Sequence, residues 1–416
     1  MKDFINNYKG LPKEMYVICF ATLINRLGDF VVPFLALYLT QKIGMTAAAT
    51  GVIVTLSSVV GIPASILGGK ISDMFGRKKI YTYAQSIAAV TLIPCAFTKS
   101  VSITIMCLLI STFFNGFVRP AFQSMIQDIL SKEERQAGFS LNYLAINAGV
   151  AIGPIIAGFL FNNLLPLLFL GDTLTSLIAV FLVWKNIKET YPVNSKLKVE
   201  SKAEIAEKGN TFQMLWKRPA LSLFLVLYMV YNFIYAQHKF SLPITLNAQF
   251  NNESAKLLGY IMSVNAVTVL VLTIFIGFIT KRNHQLTNMA FTGILYAIGF
   301  GMIGYIDNFN FFVISTIIWT LGEILSSISS GVYVANNSPS NYRARLNAIM
   351  NLGRFLGTAL STFFSGAYIQ VYGYKTLWFL IFFISIISGI LMFVLKIFSV
   401  KSELDNYTES KIKSVV

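Results

Sequence analysis

The sequence predicts an all-α integral membrane protein with twelve transmembrane helices arranged as two six-helix halves. Three observations predict it. Of 416 residues, 55% are hydrophobic and only 12% charged. The apolar residues gather into twelve stretches of membrane-crossing length, and Lys and Arg favour every second loop between them. A bilayer-spanning helix consumes roughly 20 residues, so this content supplies about a dozen spans and leaves no separate soluble domain.

The stretches run over about 15–39, 47–69, 80–98, 101–123, 137–161, 163–185, 219–245, 255–280, 286–305, 309–335, 344–370 and 374–398. Span 1 is expected to stay in place, because Asn25, Arg26 and Asp29 interrupt its apolar run and the chain then continues apolar to Leu39. Of 33 Lys and Arg, 25 fall at the N-terminus, at the C-terminal end and on the loops after even-numbered spans. The opposite loops hold only Lys42, Lys99, Lys256 and Lys375. Cytoplasmic loops are enriched in basic residues, so both termini are expected to be cytoplasmic and the chain multi-pass in the plasma membrane. The net charge of +15 is then topogenic, and no nucleic-acid partner is expected. The partner implied by this pattern is the lipid bilayer.

One long polar stretch separates spans 6 and 7. It divides the chain into an N-terminal bundle at 1–185, a cytoplasmic linker at 186–217 and a C-terminal bundle at 218–416. A weak internal echo supports duplication. Asn147, Gly149 and Gly153 in span 5 recur as Asn351, Gly353 and Gly357 in span 11, and Gly116/Gly322, Arg135/Arg343 and Pro33/Pro243 are offset by nearly the same length. Parallel repeats of this kind are found in transporters. The three cysteines, Cys19, Cys95 and Cys107, lie inside apolar runs, and the two histidines, His238 and His284, are far apart. Neither a disulfide framework nor a metal site is expected, and no cofactor.

Between spans 2 and 3 the chain reads Gly68-Gly69-Lys70-Ile71-Ser72-Asp73-Met74-Phe75-Gly76-Arg77-Lys78-Lys79. The glycines permit a tight turn and close helix approach, Asp73 suits a cation or a helix N-terminus, and the basic run holds the loop in the cytoplasm. This segment resembles the loop signature of the major facilitator superfamily. The resemblance implies a gating latch of Gly69, Asp73, Gly76 and Arg77 with an acid at the cytoplasmic end of span 4, here Asp128. The matching loop after span 8, Gly277 to His284, keeps Lys281 and Arg282 but lacks the Asp and the second Gly.

Span 5 carries Gly149, Gly153, Pro154 and Gly158, similar to the glycine and proline signature of antiporter branches of the superfamily. Small residues four apart also serve simply to pack helices, and a proline can kink one. Span 1, from Leu27 to Leu39, is similar to the first helix of twelve-span drug:proton antiporters.

Ionisable residues inside a membrane are costly and are functional candidates by default. Arg26 and Asp29 lie three apart on one face of span 1, either as a structural ion pair or as substrate and proton groups. Glu323 in span 10 has no basic residue within a turn on its own helix. A carboxyl that gains and loses a proton as its surroundings switch between dry and wet is what proton coupling requires, so Glu323 and Asp29 are the proton-coupling candidates.

Arg119, Lys239 and Arg354 complete the intramembrane charges. Lys239 and Arg354 are also placed to snorkel. Four basic groups against two acidic ones leave +2, which favours an anionic or zwitterionic substrate. Arg26, Asn25, Asn142, Arg119, Asn232, Gln237, Lys239, Trp319 and Arg354 are the substrate-binding candidates, with polar residues equally suited to joining helices.

The sequence therefore points to a monomeric secondary active transporter working by alternating access, exporting a hydrophobic or amphipathic compound in exchange for protons. A proton-coupled symporter importing a peptide-like, zwitterionic or anionic nutrient is the alternative. Enzyme activity is not expected, since no nucleophile constellation, metal set or phosphate-cradling loop is present.

Overall fold

The computed structural model describes residues 10–98, 100–131, 134–190, 215–216, 218–280, 283–337 and 343–413, with backbone alone at 136, 335, 343–345 and 400–413. Among these residues the chain is helical and contains no strand. Its helices are α1 (Lys13–Leu27), α2 (Val31–Leu37), α3 (Ala47–Phe75), α4 (Arg77–Val90), α5 (Val101–Ile129), α6 (Arg135–Asn163), α7 (Leu165–Asn186), α8 (Pro219–Tyr235), α9 (Gln237–Phe250), α10 (Ser254–Thr280), α11 (Gln285–Met302), α12 (Phe309–Asn337), α13 (Arg343–Tyr372) and α14 (Tyr374–Lys413). Eight stretches among the described residues are long and apolar enough to cross a membrane. They expose many large apolar side chains, such as Ile66, Ile274, Phe275 and Phe278, which a bilayer accommodates and water does not.

Local chemistry sets several ends. Thr46 starts α3 by accepting the Ala49 amide at 3.2 Å, and Ser100 starts α5 through the Ile103 amide at 3.5 Å. The α3–α4 corner is Gly76 at φ +109°, a conformation that side chains disfavour.

Span 1, expected as one helix, is broken between α1 and α2, and a π turn at Tyr38–Lys42 follows. Pro33 has no N–H and its ring would clash with the carbonyl four residues earlier, so the helix restarts with Pro33 in its first turn. Span 7 is also divided, between α8 and α9, and Pro243 lies inside α9 without ending it. The α4 helix gives way to a 3₁₀ turn at Ile93–Ala96 that contains Pro94. Helix α14 continues past the apolar limit at 398 into the polar tail.

Packing divides the chain into two compact units. The described residues within 1–197, 238–270 and 362–371 form unit 1, and those within 198–237, 271–361 and 372–416 form unit 2. The core of unit 1 joins α1, α4, α5 and α7 through Met15, Ile18, Tyr81, Met125, Ile126 and Val183. Segments from the second half of the sequence also pack in unit 1. The Thr55 and Thr362 hydroxyls are 2.8 Å apart, and Phe240 and Ile244 cluster with Ala36.

Unit 2 is built on α11 against α12 and α14. Its core is an aromatic column in which Phe300 stacks on Trp319 and on Trp378, with ring centroids 5.4 and 6.1 Å apart. Residues 191–214, most of the expected linker, and Lys281 and Arg282 lie outside the described residues.

Candidate functional site

At the α3–α4 corner Arg77 forms an ion pair with Asp128 at the end of α5, and its other terminal nitrogen lies 3.5 Å from Asp73 one turn back. Arg77 also donates to the Ser124 carbonyl at 3.1 Å. The Arg77 side chain is 19% exposed and Asp128 27%, whereas Asp73 is 63% exposed. The strong pair is therefore Arg77 with Asp128, because partial burial reduces solvent screening there.

Glu189, just beyond α7, adds to this cluster. Its two carboxylate oxygens accept the Lys78 and Lys79 amides at 3.0 and 3.1 Å, capping the orphan donors at the start of α4. Sequence reasoning missed Glu189, since a lone acid in a polar stretch carries no signal.

At the break in span 1 the Arg26 guanidinium pairs with Asp29 at 2.5 Å. The neighbouring polar candidates face other helices of unit 1. Asn25 donates to Ser176 at 3.1 Å, and buried Asn142 accepts from Thr22 at 2.9 Å. Asp172 in α7 is only 9% exposed, and one of its oxygens accepts the Phe30 and Val31 amides at 3.2 and 3.1 Å. It lies within electrostatic range of both Asp29 and Arg26. Sequence reasoning overlooked Asp172, although an acid in the otherwise apolar span 6 was as visible as Glu323 in span 10. Counting it lowers the intramembrane excess from +2 to +1, which weakens the argument for an anionic substrate.

The span 5 glycines lie where helices approach most closely. A Cβ on Gly149 would fall 2.5 Å from that of Arg26, and one on Gly153 would fall 2.7 Å from the Leu27 carbonyl. A Cβ on Gly158 would meet the Ala255 carbonyl at 2.7 Å. Pro154 is accommodated inside α6 without ending it.

In unit 2 Glu323 is half-buried and acts electrostatically on the fully buried Tyr296 phenol. Trp319 is 1% exposed, stacked in the aromatic column with Tyr235 edge-on at 6.0 Å. Gln237 is buried and donates to Ser361 at 2.9 Å, while Asn232 donates back to the Tyr228 carbonyl at 2.7 Å. The Arg354 guanidinium bonds Asn351 at 3.0 Å and lies over the Phe355 ring. Arg119 and Lys239 are exposed on α5 and α9. An apolar cavity of about 570 Å³ lies between α8 and α13, lined by Trp216, Leu225, Met229, Ile349 and Leu352 among others. Among the described residues no cluster of His, Cys, Asp and Glu suits a metal ion.

The sequence model of the Major Facilitator Superfamily matches residues 18–362 and 241–412. The chain is 25% identical to the uncharacterized MFS-type transporter YqjV of Bacillus subtilis, over 89% of each chain. It is 19% identical to a Na(+), Li(+), K(+)/H(+) antiporter of Planococcus maritimus, over 80% of this chain and 83% of that one. It is 25% identical to the quinolone resistance protein NorA of Staphylococcus aureus, over 56% of this chain and 63% of that one. In fold it matches a POT family transporter crystallised with a thioalcohol-conjugated peptide, with TM-score 0.78 and 13% identity over 94% and 97% of the two chains. The chain is a multi-pass membrane transporter of small molecules and belongs to the major facilitator superfamily.

Proposed function

We propose that this transporter exports a hydrophobic or amphipathic small molecule in exchange for protons, by alternating access of two six-helix bundles joined by the 186–217 linker. The observation that carries this reading is the presence of carboxylates within membrane spans of both units, Asp29 in unit 1 and Glu323 in unit 2. Such groups are expensive in a membrane and are kept where a proton or ion must bind. Likeness to an antiporter and to a quinolone resistance protein supports the same reading. So does the apolar cavity beside α8, which suits a hydrophobic ligand. Asp73, Arg77 and Asp128 form and break the cytoplasmic latch during the cycle. The transporter acts as a monomer in the plasma membrane with both termini cytoplasmic.

The second reading, import of a peptide-like or anionic nutrient with protons, draws on the one unbalanced positive charge among the intramembrane groups. One experiment separates the two. The protein is reconstituted in liposomes holding a pH-sensitive dye, and an inward gradient of a quinolone, of ethidium or of a dipeptide is imposed without a pH gradient. Luminal alkalinisation with a quinolone or ethidium, lost in Glu323→Gln, is the expected result. Luminal acidification with the dipeptide would replace export by import.

A further inference from the structure

Asp172 spans the gap that the break in span 1 opens. Helix α1 ends at Leu27 and α2 begins at Val31, so the Val31 amide has no acceptor within its own helix, while the Phe30 amide also donates to the Gly28 carbonyl at 2.7 Å. The single Asp172 oxygen that accepts the Phe30 and Val31 amides supplies one from α7. The packing here leaves no slack. The Phe30 ring would lie 2.9 Å from a Cβ at Gly171, and Gly149 and Gly153 of α6 press against the backbone of α1 from another side.

The charges do not balance. Arg26 is one base against the two acids Asp29 and Asp172, leaving one negative charge in excess when all three are ionised. Other titratable groups on the surrounding elements are Tyr81 of α4, which Arg26 influences, Tyr38, whose ring sits edge-on to Phe169 one turn from Asp172, and Cys95 in the 3₁₀ turn packed on α7. None of these supplies a positive charge, and α6 presents glycines. An uncompensated charge inside a protein in a membrane is costly, and one proton removes it.

We propose that Asp172 is a positioning residue of the transport cycle: its carboxylate fixes the bend that presents the Arg26–Asp29 pair, and uptake of one proton by these three residues loosens that hold. The inference rests on the proton-exchange reading and adds a responsive element in unit 1 to Glu323 in unit 2. The proton comes from water and converts one carboxylate to the neutral acid, taking the charge of the three from −1 to zero. Release of the proton reverses both changes. A neutral acid is a weaker acceptor than a carboxylate, so the restart of α2 is held less firmly.

The test is amide hydrogen exchange at the 28–34 segment of the full chain in lipid nanodiscs, expressed as protection at each pH. No substrate is needed. In wild type, protection of the Val31 amide is expected to fall by roughly tenfold from mildly alkaline to mildly acidic buffer as a charged cap becomes neutral, with the Phe30 amide, which also bonds the Gly28 carbonyl, responding less. Asp172→Asn keeps an acceptor but no titratable group and is expected to remove this pH dependence. Asp172→Glu is expected to restore it, and Glu323→Gln to leave it intact.

Asp29→Asn provides a second variant should Asp172→Asn fail to fold. It leaves Arg26 and Asp172 balanced and is likewise expected to abolish the response. Protection that is flat with pH in wild type would overturn the proposal. So would a response unchanged in Asp172→Asn or, where that variant does not fold, in Asp29→Asn. A liposome assay without proton movement would instead count against export in exchange for protons, so the two readings fail separately.

Discussion

Glu189 occupies the space that a side chain at Gly76 would need. A Cβ at that position would lie 2.6 Å from one Glu189 oxygen, while the same carboxylate caps the first turn of α4. The corner where Arg77 starts its helix is thus clamped from the far end of the N-terminal six spans.

Gly76→Ala meets two obstacles, a left-handed φ and the Glu189 carboxylate. It is expected to destabilise by about 1–3 kcal/mol, combining the backbone penalty with displacement of the cap. Thermal unfolding in detergent reads this. Glu189→Ala should lower the melting temperature less, since it removes the cap without straining the backbone.

Arg77 and Asp128 act as a pair. Arg77→Ala and Asp128→Ala are each expected to reduce transport at least tenfold, and the double variant to lose little more, because groups that act through one contact are not additive. Arg77→Lys should recover only part of the activity, since an ammonium cannot serve Asp128, Asp73 and the Ser124 carbonyl as the guanidinium fork does. Full additivity in the proteoliposome assay would argue against a shared role.

Gly153→Val places a branched side chain against the Leu27 and Arg26 carbonyls. Overpacking of this kind costs about 1–3 kcal/mol, and separating α6 from α1 should also disturb the Arg26–Asp29 pair. The expected outcome is a lower melting temperature together with loss of transport. Normal transport by a destabilised variant would confine the span 5 glycines to packing.

Trp319 supports the core of unit 2. Trp319→Ala is expected to cost about 3–5 kcal/mol, as large aromatic truncations do. Trp319→Phe should restore most of the stability and leave the pattern of transported compounds unchanged. A changed pattern in Trp319→Phe, measured with a panel of quinolones and dyes, would support Trp319 as a residue of the substrate site.

What the sequence determined alone follows from composition and short-range pattern. The apolar runs, the alternating basic loops and the Gly69–Arg77 motif were sufficient for the fold class and family, because membrane burial imposes length and polarity on each span separately. Even the pairing of Arg26 with Asp29 was legible, since three residues on a helix bring side chains to one face. Tertiary structure decided what depends on distant segments meeting. Asp172 reaches the break in span 1 across more than 140 positions, Glu189 reaches α4 across about 110, and Trp319 and Gln237 turn into interiors rather than outward. Local periodicity carries no record of such partners. A carboxylate that caps a helix and one that sits elsewhere in a span look alike in the sequence until the backbone amides that the first of them serves come into place.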